Sequence, residues 1–187
     1  MKTFLLKARH FFRLCATLLL VVVVNTKFCL AVPASDELQT LTVAFLYNFL
    51  KLSEWPTKAA LTEFTVCVGQ ASDFGSTLET SISGKQIQDK PLKVKHLLPG
   101  DDASVCQLVF ISSEEKPINR EKWLKDIDNK PILSVSDSSD FLDHGGMIML
   151  VNDGSHLQFE VNLVQAEQQG INMSSQILQI ARNVRGK

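Results

Sequence analysis

Two short apolar runs constrain this chain more than anything else in it: FTVCVG at 64–69 and LVFI at 108–111. Both are too short for a core helix and rich in β-branched or aromatic side chains, the profile of a buried strand. Ile132 to Val135, Gln86 to Gln88 and Leu92 to Leu98 also read as strands, the last alternating Leu92, Val94 and His96 against Lys93, Lys95 and Leu97. Between them lie segments with helical spacing, including one that Ser72 or Asp73 would cap and that runs through Leu78, and Arg120 to Ile127 with Trp123, Leu124 and Ile127 on one side. Met147 to Val151 and His156 to Leu163 are strands joined by Asn152, Asp153 and Gly154, a hairpin signal because the Asp-Gly pair tolerates positive φ. Strands alternating with helices, then a late hairpin, predict a single α/β domain with a mixed central β-sheet flanked by helices on both faces.

The first strongly patterned segment is LTVAFLYNFLKLSEWP. Leu38, Leu41, Phe45, Phe49 and Leu52 recur every three or four residues and predict one buried stripe on a helix. Ser35 is the expected N-cap, Asp36 and Glu37 suit the positive end of the helix dipole, and Pro56 limits the far end. Tyr47, Asn48 and Lys51 fall on a flank of that stripe, where recognition would begin if the flank is more than a wet surface. At the other end of the chain, Ile177, Leu178, Ala181 and Val184 predict an amphipathic helix over Ser174 to Val184.

Lys2, Lys7, Arg9 and Arg13 precede the apolar run Leu14 to Val24, which Asn25, Thr26 and Lys27 end before it reaches membrane length. Residues 1–34 are therefore expected to be a cleaved signal peptide, with cleavage after Ala31 or Ala34, leaving 35–187 as one domain. The leader carries Lys27 as well and no acid, so its removal from a chain of 19 basic and 20 acidic residues leaves a clearly acidic product. Such a charge has no basic patch to neutralise phosphates, which argues against nucleic acid. No second apolar run is long enough for stable membrane insertion of the mature chain. Cys67 and Cys106 are the two cysteines well inside it; an even pair in an exported protein is most simply a disulfide, and too small a set for zinc.

Catalytic motifs are absent from the sequence: no GxSxG, Walker loop, GxGxxG after a strand, or HExxH. His96, His144 and His156 have no local partners. In SVSDSSDFLDHGG, the residues Asp137, Asp140, Asp143 and His144 are spaced by three, three and one, and a helix would bring the carboxylates to one face. The spacing is not that of a calcium loop, and an N-cap at Ser136 or Asp137 explains most of it, so no metal and no cofactor are assigned. Gly145 and Gly146 read as the turn into the next strand. In HLQFEVNL, alternation places Glu160 and Asn162 together on the polar face of a strand. They would serve a ligand or partner, or form a solvent-facing surface in which Glu160 pairs with a nearby Lys or Arg.

Taken together, AFLYNFLKLSEWP, the cysteines in FTVCVG and CQLVFIS, SVSDSSDFLDHGGMI, FEVNL and INMSSQILQIARNV resemble the YfiR family of small periplasmic regulators. The resemblance spans Leu38 to Val184. It implies a periplasmic α/β protein, often a homodimer, that binds the periplasmic sensory domain of an inner-membrane diguanylate cyclase of the YfiN type and represses it. Release of such a cyclase raises cyclic di-GMP and drives surface attachment and biofilm formation. The resemblance also implies a Cys67–Cys106 bridge, and it makes Phe159, Glu160 and Asn162 the best-placed functional surface; the exposed flank of the first helix, Tyr47 and Lys51, is a further candidate. Some members carry a second cysteine pair near the paired glycines; Asp143 to Asp153 contains none. The competing expectation is a periplasmic small-molecule sensor, with Glu160 and Asn162 converging on a pocket; an exported hydrolase ranks last for want of a nucleophile and base.

Overall fold

The apolar runs pair with one another. A computed structural model describes residues 34–56, 61–69 and 73–186, so the expected leader lies outside the described residues apart from Ala34, as does Ser72. The chain runs α1 (Ala34–Lys51), β1 (Ser53–Glu54), β2 (Phe64–Gly69), α2 (Phe74–Ile82), β3 (Gln86–Ile87), β4 (Lys90–Leu97), β5 (Leu108–Ile111) and α3 (Pro117–Ile127). It continues through β6 (Leu133–Ser136), a 3-10 turn (Phe141–His144), β7 (Ile148–Asn152), β8 (Leu157–Asn162), α4 (Leu163–Gln168), β9 (Asn172–Met173), α5 (Ser175–Ile180) and β10 (Asn183–Arg185).

Among the described residues one sheet has the order β10-β8-β7-β6-β5-β2-β4-β3, and β1 with β9 forms a small second one. From β7 through β6, β5 and β2 to β4 every neighbouring pair is parallel. The hairpin return of β8 on β7 and the pairing of β3 on β4 are antiparallel, which makes the sheet mixed. Because side chains alternate, each buried strand feeds two cores. Phe64, Val66 and Val68 of β2, with Leu108 and Phe110 of β5, face the core under α1 and α2. Cys67, Val109 and Ile111 face the opposite core with Trp123 and Ile127 of α3. This is the expected two-sided α/β architecture.

Helix α1 meets the sheet with a different face from the one its sequence suggested. Val43, Leu46, Phe49 and Leu50 are buried, whereas Leu41 is 43% exposed and Leu38, Phe45 and Leu52 are half-buried. Apolar residues cover more than one stripe of this helix, and Val43, Leu46, Phe49 and Leu50 sink deepest. Phe49 and Phe45 meet the Phe159 ring edge-on, with centroids 4.9 and 5.5 Å away. The helix also begins at Ala34, so Ser35 lies in its first turn and is not the N-cap, and it ends at Lys51 as the chain turns into β1 well before Pro56.

The expected C-terminal helix is divided. Ser174 caps α5, its Oγ accepting from the Ile177 N–H, but the helix ends at Ile180. The Arg182 N–H then donates to the Phe159 carbonyl at 2.8 Å, and the next three residues join the sheet as β10. Backbone pairing beside β8 outweighs a helical pattern that is apolar on one side only. Asn162 ends β8 and starts α4, a short helix absent from the sequence reading, by accepting from the Gln165 N–H. The expected β7–β8 hairpin forms, but its turn is centred on Gly154 and Ser155: the Asp153 N–H donates to the His156 carbonyl, only Gly154 has positive φ (+89°), and the Asp153 side chain accepts from the backbone of Ser155 and His156.

Candidate functional site

In open parallel sheets, ligands favour the crevice where strand order reverses, beyond the carboxyl ends of the strands. Here the chain leaves β2 for β4 on one side and returns to β5 on the other, so that crevice lies between β2 and β5. It is closed among the described residues. Val68, Gly69, Gly75, Phe110, Ser112 and the buried Glu115 leave a recess of about 10 Å³, the scale of one water. Glu115 accepts from Asn119 through Oε2 at 2.8 Å, while its Oε1 lies 3.1 Å from where a side chain on Gly69 would begin.

The aspartates of SVSDSSDFLDHGG are each engaged separately. Asp137 accepts from the Ser113 N–H at 2.6 Å; Asp140 accepts from Ser138 at 2.5 Å and faces Arg120 at 3.4 Å; Asp143 pairs with Arg185 at 2.6 Å. The Ser138 hydroxyl, helped by Arg120, holds the Asp140 carboxyl below its usual range. Arg120 also donates to the Glu115 carbonyl, so these contacts fasten α3 to the loop after β6. Among the described residues no acidic, histidine and cysteine side chains converge as a metal site.

The two motifs at the end of the chain come together as adjacent strands. In the register of β10 on β8, Asn183 lies opposite Glu160, Val184 opposite Val161 and Arg185 opposite Asn162. Phe159 is 1% exposed and belongs to the core, so it positions α1 and offers no surface itself. Glu160, on the opposite face of β8, pairs with Arg182 at 3.7 Å, and Asn162 caps α4. Beyond β10 the sheet has no further strand among the described residues, and the same end exposes Ile180 of α5 (68%) and Val164 of α4 (44%). Arg182, Arg185, Ile180 and Val164 were not singled out by the sequence. The signals for them were weak, since no Gly or Pro separates α5 from β10.

Tyr47 and Lys51 lie elsewhere. The Tyr47 hydroxyl donates to the Gln86 carbonyl at 3.0 Å and Lys85 sits 5.5 Å over its ring, fastening α1 to β3; Lys51 is exposed at the end of α1. Helix α1 covers the Phe159 face of the sheet, and Glu160 points to the other. The five candidate residues thus form no single site.

Cys67 and Cys106 are disulfide-bonded and buried, with Cα atoms 5.8 Å apart. The bridge joins β2 to the segment entering β5.

These features define a mixed-sheet α/β domain in which Glu115, Asp140, Asp143, Glu160 and Asn162 each make a bond within the fold. A family model described as YfiR/HmsC-like matches residues 39–182, and the chain belongs to that family. No curated protein matches it in sequence. The structure is similar to that of a conserved domain protein from Vibrio cholerae O1 biovar El Tor, with TM-score 0.53 and 10% identity over 79% of this chain and 60% of that one. At that identity the likeness shows the fold alone, and this chain spans about 60% of the other's length. A looser likeness is to the ABC domain in complex with L-Trp from Streptococcus pneumoniae, with TM-score 0.47 and 12% identity over 65% of this chain and 55% of that one.

Proposed function

We propose that this protein is exported with loss of residues 1–34 and acts in the periplasm as a repressor, binding the periplasmic sensory domain of an inner-membrane diguanylate cyclase. The observation that carries the reading is the family match across 39–182. A disulfide between Cys67 and Cys106 suits an oxidising compartment, and among the described residues no helix is long and apolar enough to cross a membrane. Repression by contact needs a surface and not a reaction centre. The strongest candidate surface is the β8–β10 edge, where exposed Ile180 and Val164 flank the Glu160–Arg182 pair and the Asn162 cap. Tyr47 and Lys51 would form a second, separate contact.

Glu160 pairs with Arg182 and Asn162 caps α4, which counts against a sensor built on those two residues. The test is cyclase activity in inner-membrane vesicles, with purified protein added to their periplasmic side. Native protein should lower cyclic di-GMP synthesis, and Ile180→Asp with Val164→Asp should restore it. A double variant that folds and represses like the parent would remove the edge from the interface. Absence of repression by native protein, with every cyclase of the host supplied in turn, would reject the repressor reading.

A further inference from the structure

We infer that the cleft between the first half of α1 and the end of the β7–β8 hairpin is a binding site for a small organic cation, an ammonium group on an apolar body. The cleft measures about 330 Å³, at the lower end of the range for small-molecule sites. Leu38 of α1, Leu150 of β7 and Leu157 of β8 supply its apolar wall. Asp137, Ser139 and Asn152 bring polar groups to the same space.

The charged groups of the lining set the sign of the ligand. One Asp137 oxygen accepts from the Ser113 N–H at 2.6 Å; the other takes no bond among the described residues, and neither does the Ser139 hydroxyl. The Asn152 carbonyl oxygen is occupied by the Gly154 N–H at 2.9 Å. No lysine, arginine or histidine lines this cleft among the described residues. A free carboxylate oxygen and hydroxyl beside a leucine wall suit an ammonium donor and oppose an anion. A second recess of similar volume shares Leu38, Asn152 and Leu157 and adds the acidic Glu37, which extends the negative field, together with His156. The site is remote from the β8–β10 edge in its residues, so it stands or falls separately from the repressor reading.

The experiment titrates the purified protein with phenethylamine and, as the neutral isostere, with 2-phenylethanol, followed by calorimetry and by methyl resonances of Leu38, Leu150 and Leu157. Saturable binding of the amine is expected, at least about tenfold tighter than the alcohol, the discrimination of one charge-assisted hydrogen bond. Asp137→Asn keeps a carbonyl oxygen for Ser113 and should abolish the preference for the amine; Leu38→Trp, filling the cleft, should weaken both ligands. No saturable shift at millimolar amine, equal affinity for the two probes, or an unchanged preference in folded Asp137→Asn overturns the proposal. The comparison of the two probes on native protein needs no variant to fold.

Discussion

Glu160 of β8 faces Arg182, the residue just before β10, with Oε1 3.7 Å from Nε, while the Arg182 N–H donates to the carbonyl of Phe159, the residue before Glu160. The pair is half in water, with Arg182 49% exposed and Glu160 15%, so its worth is modest. Glu160→Gln and Arg182→Gln should each destabilise the protein by about 0.5 to 1 kcal/mol in denaturant titration. In the double variant the losses should be smaller than their sum. Strict additivity would show that the two side chains do not interact in solution.

Phe159→Ala should be the most damaging change in FEVN, because it empties the site on which Phe45 and Phe49 pack edge-on. The expected loss is about 3 to 5 kcal/mol. Chemical denaturation checks it, and a loss below about 1 kcal/mol would mean that α1 is held to the sheet by other contacts.

Breaking the Cys67–Cys106 bridge, which closes a loop with sequence separation 39, should cost about 4 kcal/mol in the chain-entropy model. Cys67→Ser is expected to lower the denaturation midpoint markedly. Reductant should lower that of the parent similarly and leave the variant unchanged. Equal midpoints for oxidised parent and variant would show the bridge to be energetically idle.

Asp140 gives a pH signature. Its folded carboxyl is held below the ordinary value of 3.8, chiefly by the Ser138 hydroxyl, then by its own backbone N–H and by Arg120. A depressed acid contributes stability that is complete above its unfolded pKa and disappears as pH falls through the folded one. Asp140→Asn should therefore lower stability at neutral pH and flatten the loss of stability below pH 3.8. Parallel stability curves for parent and variant through that acid range would refute the assignment.

The central sheet was legible in the sequence because its strands are short and apolar: FTVCVG and LVFI are β2 and β5 residue for residue. Local pattern failed where tertiary contact chose between local options. Leu41 fits a helical stripe as well as Leu46 does, yet only the folded surface beneath α1 decides which of the two is buried. Ile177, Leu178, Ala181 and Val184 fit one helix, yet the open side of β8 drew Val184 into a strand. Glu160 and Asn162 do share the polar side of β8, but their partners, Arg182 and the Gln165 N–H, were invisible in an alternation pattern. Arg185 meeting Asp143 joins residues 42 apart in sequence, a contact that only folding brings about.

The position of the disulfide gives the sheet a hard interior and a soft β10 edge. Strand β2 is paired along both sides and cross-linked, whereas β10 has three residues, pairs with β8 alone and is steadied by two surface ion pairs. Amide protons should accordingly exchange slowest around Cys67 and fastest near Val184, with opening free energies falling along the sheet. The terminal strand can then detach while the cross-linked strands remain folded, so the edge offered to a partner is also the part that can be remodelled at least cost to the rest.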